Sequence, residues 1–382
     1  MKVCLGSFGR FHTFNLGQEL ERRGYLTKLY TAYPKWKVDG LPLIKVRTFP
    51  WVFGLSTMAY KLSLYSLQER LNQTAIKTYD RWMAHQLEQC SVFHCLSSFG
   101  TLSHEVAKSK FGALTICDRG SSHIVYQNEI LKEEYSLWGI PYRPIDRFII
   151  ERETEEYQKC DLVFVPSTYA LNSFLEKGVP REKIVKIPYG VDLKMFKPIG
   201  SEENKIFRVI FVGALSLRKG IQYLLKAIAL LKLPDFEVWF CGGVTPEIKP
   251  ILGKYEDKFR YFGMIQRDKL PYYYSQSSVF VLPSIEEGFG LVQAQAMACA
   301  LPVIATTHTG AQDLFSDGKE GFIVPIRDPE AIKEKILFLY EHPEVREEMG
   351  RAALTKVQSL NGWNTYGEQV IKTYEAYYKR IK

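Results

Sequence analysis

The chain is poor in several features that would have named its class at once. No apolar run approaches the ~18–20 residues that a membrane-spanning helix requires, and the opening MKVCLGSFGRFHTF has no apolar segment of signal-peptide type, so export is not expected. The seven cysteines (Cys4, Cys90, Cys95, Cys117, Cys160, Cys241 and Cys299) are scattered singly with no C-x-x-C pair. A reduced, cytoplasmic protein without a zinc site is the expectation. Low-complexity tracts and fixed-period repeats are missing. The first glycine turn reads G-S-F-G instead of G-x-G-x-x-G, and no acidic residue follows the second strand at the spacing that reads a dinucleotide ribose, which argues against a dehydrogenase.

What is present is a long soluble-type chain with unevenly placed charge. At 382 residues, 46% apolar and 24% charged, it exceeds one ordinary core, and two domains are expected. Residues 1–110 hold 15 Lys and Arg against 7 Asp and Glu, whereas the remainder holds 35 of each, so the net +8 belongs to the first third. Such an excess attracts phosphate, anionic lipid or nucleic acid, or is simply a solvated basic face.

Strand, glycine turn and helix recur along the chain, which predicts an α/β protein with parallel sheets. Strands are expected at KVCLGSF, LTKLYTA, VFHCLS, ALTICD and LVFVPS, and in a second series at FRVIFVGAL, FEVWFCGG, RYFGMI, SVFVLPS and LPVIAT. The helix FNLGQELERRGY ends near Gly24. The boundary is placed near 193–205, giving a first Rossmann-like domain at 1–195, a second at 205–362 and a last helix at 363–382. That helix, with Trp363, Tyr366, Val370, Tyr374 and Tyr377 on one face, packs on its own domain or crosses back to the first. Ligands of two such sheets bind in the cleft facing the carboxyl ends of the strands.

The stretch PSIEEGFGLVQAQAMACALPVIAT carries the most chemistry. Gly288 and Gly290 permit close approach of a ligand to the backbone. The free N–H groups around Gly290, Leu291 and Val292 open a helix and suit an anion. Glu287 stands beside that anion, able to grip hydroxyls, or else it only favours the helix dipole. The block resembles the signature of the retaining nucleotide-sugar glycosyltransferases of family four, which have the GT-B fold of two facing Rossmann-like, doubly wound domains with a central cleft. The likeness continues through IPYGVDLKMFKP, FVGALSLRKGIQYLLKA, YFGMIQRDKLPYYYSQ and HTGAQDLFSDGKEGFIVP, about residues 185–340, and is fainter before residue 180.

That resemblance implies a metal-independent transferase moving a sugar from a nucleoside diphosphate sugar to an acceptor, lipid-linked or polysaccharide, with no cofactor. The Asp-x-Asp metal motif of the other large glycosyltransferase fold is absent. Glu287 would hold the transferred sugar, and the turn Gly288, Phe289, Gly290, Leu291 and Val292 would hold the diphosphate through its amides. Lys219, with Arg218 and Gly213 in the same loop, would meet the charge on the leaving group. The backbone at Met264 and Ile265 would contact the base. Two departures stand out: Gln295 replaces the family's ribose-binding glutamate, and Ala214 replaces a phosphate-binding arginine. One charge-assisted bond to ribose is lost or rearranged, at about 1–2 kcal/mol.

In the first half, Gly9, Arg10 and His12 lie on the turn after the first strand and would touch donor phosphate or acceptor. Asp118 and His123 follow a later strand; each is a catalytic candidate, with a turn cap or a satisfied histidine as the plain alternative. Glu133 and Glu134 read as surface charges on a helix. Aromatics and bases between 35 and 83 suit an anionic membrane surface at the cytoplasmic face, or a basic groove for a soluble anionic acceptor. Nucleic acid is not an expected partner. A nucleotide-sugar epimerase, or a non-catalytic relative that binds sugar nucleotides, remains the alternative.

Overall fold

A computed structural model describes residues 1–52, 54, 65–200 and 206–381. Residues 53 and 55–64 of the basic aromatic stretch, and 201–205 of the expected boundary, lie outside the described residues.

Seven strands form the first sheet: β1 (Val3–Ser7), β2 (Leu26–Thr31), β3 (Val46–Thr48), β4 (Val92–Leu96), β5 (Leu114–Asp118), β6 (Leu162–Val165) and β7 (Ile184–Lys186). Six form the second: β8 (Phe207–Val212), β9 (Phe236–Cys241), β10 (Arg260–Tyr261), β11 (Val279–Leu282), β12 (Val303–Thr306) and β13 (Gly321–Val324). Their orders are β3-β2-β1-β4-β5-β6-β7 and β10-β9-β8-β11-β12-β13. Every pairing between these strands is parallel. Central strands such as β1, β4, β8 and β11 are buried along their whole length, as expected of parallel strands covered by helices on both faces. The expectation of two Rossmann-like, doubly wound halves is met. The short edge strands β3, β7 and β13 were not among the expected strands.

In each sheet the strand order reverses beside the first strand, between β1 and β4 and between β8 and β11. Loops leaving these strands diverge to opposite sides and open a crevice, where ligands of such sheets bind. The turns after β1, β8 and β11 therefore place Gly9 to His12, Gly213 to Lys219 and Pro283 to Gly290 at that crevice.

The last helix, Gly362–Ile381, crosses back onto the first half. Tyr366, Val370, Ile371 and Tyr374 are buried with Leu5, Leu16, Leu20 and Ile116 in one apolar cluster. Each such side chain contributes roughly 1.5–3 kcal/mol on burial, so the helix is a firm strap between the halves. All seven cysteines are free and buried. Among the described residues no helix is long and apolar enough to cross a membrane.

Candidate active site

Two turns of the second half meet at its switch point. Lys219 comes from the loop after β8 and Glu287 from the loop after β11, and Lys219 Nζ pairs with Glu287 Oε2. Both side chains are largely buried. Burial and the neighbouring Arg218 guanidinium pull the Lys219 ammonium down to about 7, with Glu286 opposing them. The Glu287 backbone is fixed by its N–H donating to His308 O at 3.1 Å.

Just beyond, Gly290 has φ +74° and caps the helix Leu291–Ala298 with no side-chain bond. A side chain at this left-handed position would be strained, and the uncapped first turn presents amides to an anion. Gly288 is needed for a different reason. A Cβ there would sit 2.0 Å from Gly120 O, because the turn packs directly on the first half. Phe289 is buried and its ring lies 5.5 Å from that of Tyr189.

From the first half, His12 opens the helix His12–Arg22 and reaches Asp118, at the end of β5, with Nε2 2.5 Å from Oδ2. The same Oδ2 lies 2.9 Å from His94 Nε2. Burial raises the Asp118 pKa, but the two imidazoles outweigh it and hold the carboxyl well below its usual range. Tyr189 stacks on His12 at 4.2 Å and joins it to Phe289. His12, Asp118, Gly120 and Tyr189 thus face Gly288 and Phe289 across the crevice.

The structure gathers some expected residues and not others. Arg218 donates through Nε to Glu286 Oε2 at 2.7 Å and through a terminal nitrogen to Ser121 Oγ at 3.2 Å. It is thereby committed to the join between the halves. Gly213 follows β8 with its N–H on Cys241 O at 2.9 Å, and Gly9 O accepts from Ser7 Oγ at 2.8 Å. Arg10 turns outward to Asp39 at 2.8 Å. Met264 is exposed and Ile265 packs against the second core. Gln295 Oε1 accepts from Tyr274 Oη at 3.3 Å. His123 is not brought to the cluster: its Nδ1 accepts from Val125 N at 3.2 Å as a helix cap, and its ring packs on Tyr157 and Phe174. Burial and Arg119 lower its pKa to about 4.

Two residues were misjudged or missed. Glu134 is fully buried, not a surface charge; it bridges to the second half by accepting from Gln222 Nε2 at 2.8 Å and Arg327 Nε at 2.7 Å. Glu286, adjacent to Glu287, is also fully buried. It accepts from Ser121 Oγ at 2.7 Å, Ser122 Oγ at 2.6 Å and Gln127 Nε2 at 2.9 Å, all on the opposite half. Two successive carboxylates thus divide the work, one joining the halves and one facing Lys219. Nothing in the pair EE distinguishes them.

A family model described as Glycosyltransferase Family 4 matches residues 10–195, and one described as Glycosyl transferases group 1 matches 194–356. A D-inositol 3-phosphate glycosyltransferase of Paenarthrobacter aurescens is 28% identical over 215 residues, covering 52% of each chain. The mannosylfructose-phosphate synthase of Agrobacterium fabrum is 25% identical over 250 residues, covering 59% of this chain and 55% of its own. The chain spans about half the length of these curated relatives. Among solved structures, a sucrose-phosphate synthase from Thermosynechococcus elongatus superposes with a TM-score of 0.75 at 21% identity over 100% of both chains. The Anabaena protein HepE, solved with UDP-glucose, gives 0.68 at 16% identity over 98% of this chain and 100% of its own. These superpositions establish the fold.

Proposed function

The chain belongs to the glycosyltransferases of family four, and we propose that it transfers a sugar from a nucleoside diphosphate sugar to an acceptor hydroxyl with retention and without a metal. The observation that carries this reading is the Lys219–Glu287 pair beside an uncapped helix start, a cation for phosphate and a carboxylate for sugar hydroxyls in one crevice. In the proposed reaction the bond from the anomeric carbon to the diphosphate oxygen breaks as the acceptor oxygen bonds to the same face. The acceptor proton passes to the departing phosphate. Lys219 and the helix amides take up the charge on that phosphate, Glu287 holds the sugar, and His12 orients the incoming hydroxyl. HepE's complex with UDP-glucose supports a uridine nucleotide as the first donor to try.

The acceptor is read from the first half. Trp36, Ile44 and Trp51 are 78%, 81% and 79% exposed around the edge strand β3, with Lys35 and Lys37 exposed beside Trp36. Exposed aromatics among bases suit an anionic membrane surface, which supports a lipid-linked or polysaccharide acceptor presented there. A soluble phosphorylated acceptor is the second reading, favoured by the phosphate in the names of three relatives.

The test is to incubate the protein with UDP-, GDP- and ADP-sugars, anionic vesicles and phosphorylated polyols, and to follow the anomeric proton by NMR with and without EDTA. An α-linked product from an α-donor, undiminished by EDTA, is expected. A β-linked product contradicts retention, loss with EDTA contradicts metal independence, and no turnover with any pair contradicts transfer.

A further inference from the structure

Tyr374, on the last helix, is fully buried in an otherwise apolar stripe, and a buried phenol hydroxyl needs a partner. It finds one in His94, with Oη 2.7 Å from Nδ1. His94 lies within β4, itself fully buried, and its other nitrogen meets Asp118 at 2.9 Å. Asp118 in turn meets His12 at 2.5 Å. A single hydrogen-bonded chain therefore runs from the strap helix, through the floor of the first sheet, to the crevice.

For neutral imidazoles, chemistry fixes the direction of each bond in it. An ionised carboxylate only accepts, so the His94 and His12 nitrogens that share Oδ2 both carry hydrogen. A neutral His94 with hydrogen on Nε2 has only a lone pair on Nδ1, so Tyr374 must donate to it. His12, with hydrogen on Nε2 toward Asp118, keeps its lone pair on Nδ1. Tyr189 Oη, 3.2 Å from the same Nε2, is at most a minor second acceptor for that hydrogen. The tautomer of a working histidine is set in this way by the hydrogen bond on its far nitrogen.

We infer that Tyr374 is a positioning residue, which through His94 and Asp118 sets the tautomer and orientation of His12 at the crevice. The strap helix is then part of the active site's support as well as a tie between the halves. Without the hydroxyl, the buried Nδ1 of His94 loses its partner and the ring is free to turn in search of another. Its Nε2–H then leaves Asp118, the carboxylate shifts, and His12 loses its fixed partner. The kinetic consequence rests on the transferase reading; the tautomer consequence does not.

The test uses the full chain with ¹⁵N-labelled histidine, the His12 signals being assigned by their loss in His12→Asn. At a pH where the imidazole is neutral, wild type is expected to show His12 with hydrogen on Nε2 alone. Tyr374→Phe, which keeps the ring's packing, is expected to show a mixture of tautomers and a kcat lower by roughly tenfold or more, with KM for the donor unchanged. His94→Gln breaks the same chain from the strand side and is expected to act alike. Val370→Ala loosens the same helix face without touching the chain; it is expected to lower Tm yet leave the His12 tautomer intact. A single Nε2–H tautomer in both Tyr374→Phe and His94→Gln overturns the inference, as does a Val370→Ala protein that scrambles the tautomer equally. If wild type turns over no sugar nucleotide, the transferase reading falls while the tautomer result still decides the positioning role.

Discussion

Arg218 and Glu286 form the ion pair on which the two halves close, with Nε 2.7 Å from Oε2 on a carboxylate that is fully buried. Three side chains of the opposite half, Ser121, Ser122 and Gln127, donate to the same carboxylate. Burial works against the ionised form, but Arg218 and these donors outweigh it and hold Glu286 well below the usual carboxylate range. A carboxyl depressed in the folded state stabilises above its unfolded pKa, near 4.5, and loses that contribution as pH falls through the folded value. Glu286→Gln replaces an acceptor by an amide N–H₂ that must face another donor. It is expected to cost about 3 kcal/mol in urea unfolding at pH 7 and to widen the particle in small-angle scattering.

If Lys219 meets the donor phosphate as proposed, binding is linked to a proton. The Lys219 pKa is pulled down to about 7, and a bound diphosphate favours the charged ammonium. Nucleoside diphosphate binding therefore takes up protons near neutrality, and affinity declines as pH rises through about 7. Lys219→Arg, charged throughout, is expected to flatten that decline. Calorimetry in buffers of different ionisation enthalpy measures the proton uptake directly.

Glu287 differs from its neighbour in what its loss does. Glu287→Ala strips a largely buried partner from Lys219, which can release its proton near neutrality, so the expected loss in urea unfolding is about 1–2 kcal/mol, smaller than for Glu286→Gln. Turnover falls too, with kcat/KM down by about 2 kcal/mol, or roughly 30-fold, for the lost charge-assisted bonds to the sugar. Steady-state kinetics beside a thermal melt separates this from the Glu286 effect.

Gln295 has its one acceptor oxygen taken up by Tyr274 Oη at 3.3 Å, which leaves its amide N–H₂ for the ribose. A carboxylate there would satisfy Tyr274 and still accept from ribose hydroxyls. Gln295→Glu is expected to tighten nucleotide binding by about 1 kcal/mol, roughly fivefold. The gain should be absent for a 2′,3′-dideoxy nucleotide, measured by the same titration.

The sheets and their switch points were readable because parallel strands buried on both faces leave continuous apolar runs ending in glycine turns, as at FRVIFVGAL and SVFVLPS. Short edge strands such as β3 and β7 carry no such run. Glu287 and Lys219 could be singled out because a compact motif surrounds each, and the structure brings their side chains together. Glu286 and Glu134 were not, since burial of a carboxylate depends on donors more than 80 residues away. His94 and Tyr374, 280 residues apart, sat inside a strand pattern and a helix stripe that explained them without chemistry. His123 looked equivalent to Asp118 until the structure used its ring as a helix cap.

The central claim is that one crevice holds phosphate on Lys219 and the helix amides, and sugar on Glu287. It is tested most directly by titrating wild type and Glu287→Gln with UDP-, GDP- and ADP-sugars and with the matching free diphosphates. Saturable binding of one sugar nucleotide to wild type is expected, weakened in Glu287→Gln, with the free diphosphate bound at least as tightly by the variant, which no longer sets a charged carboxylate against Lys219. No binding of any sugar nucleotide, or an equal loss of the free diphosphate in Glu287→Gln, would contradict it.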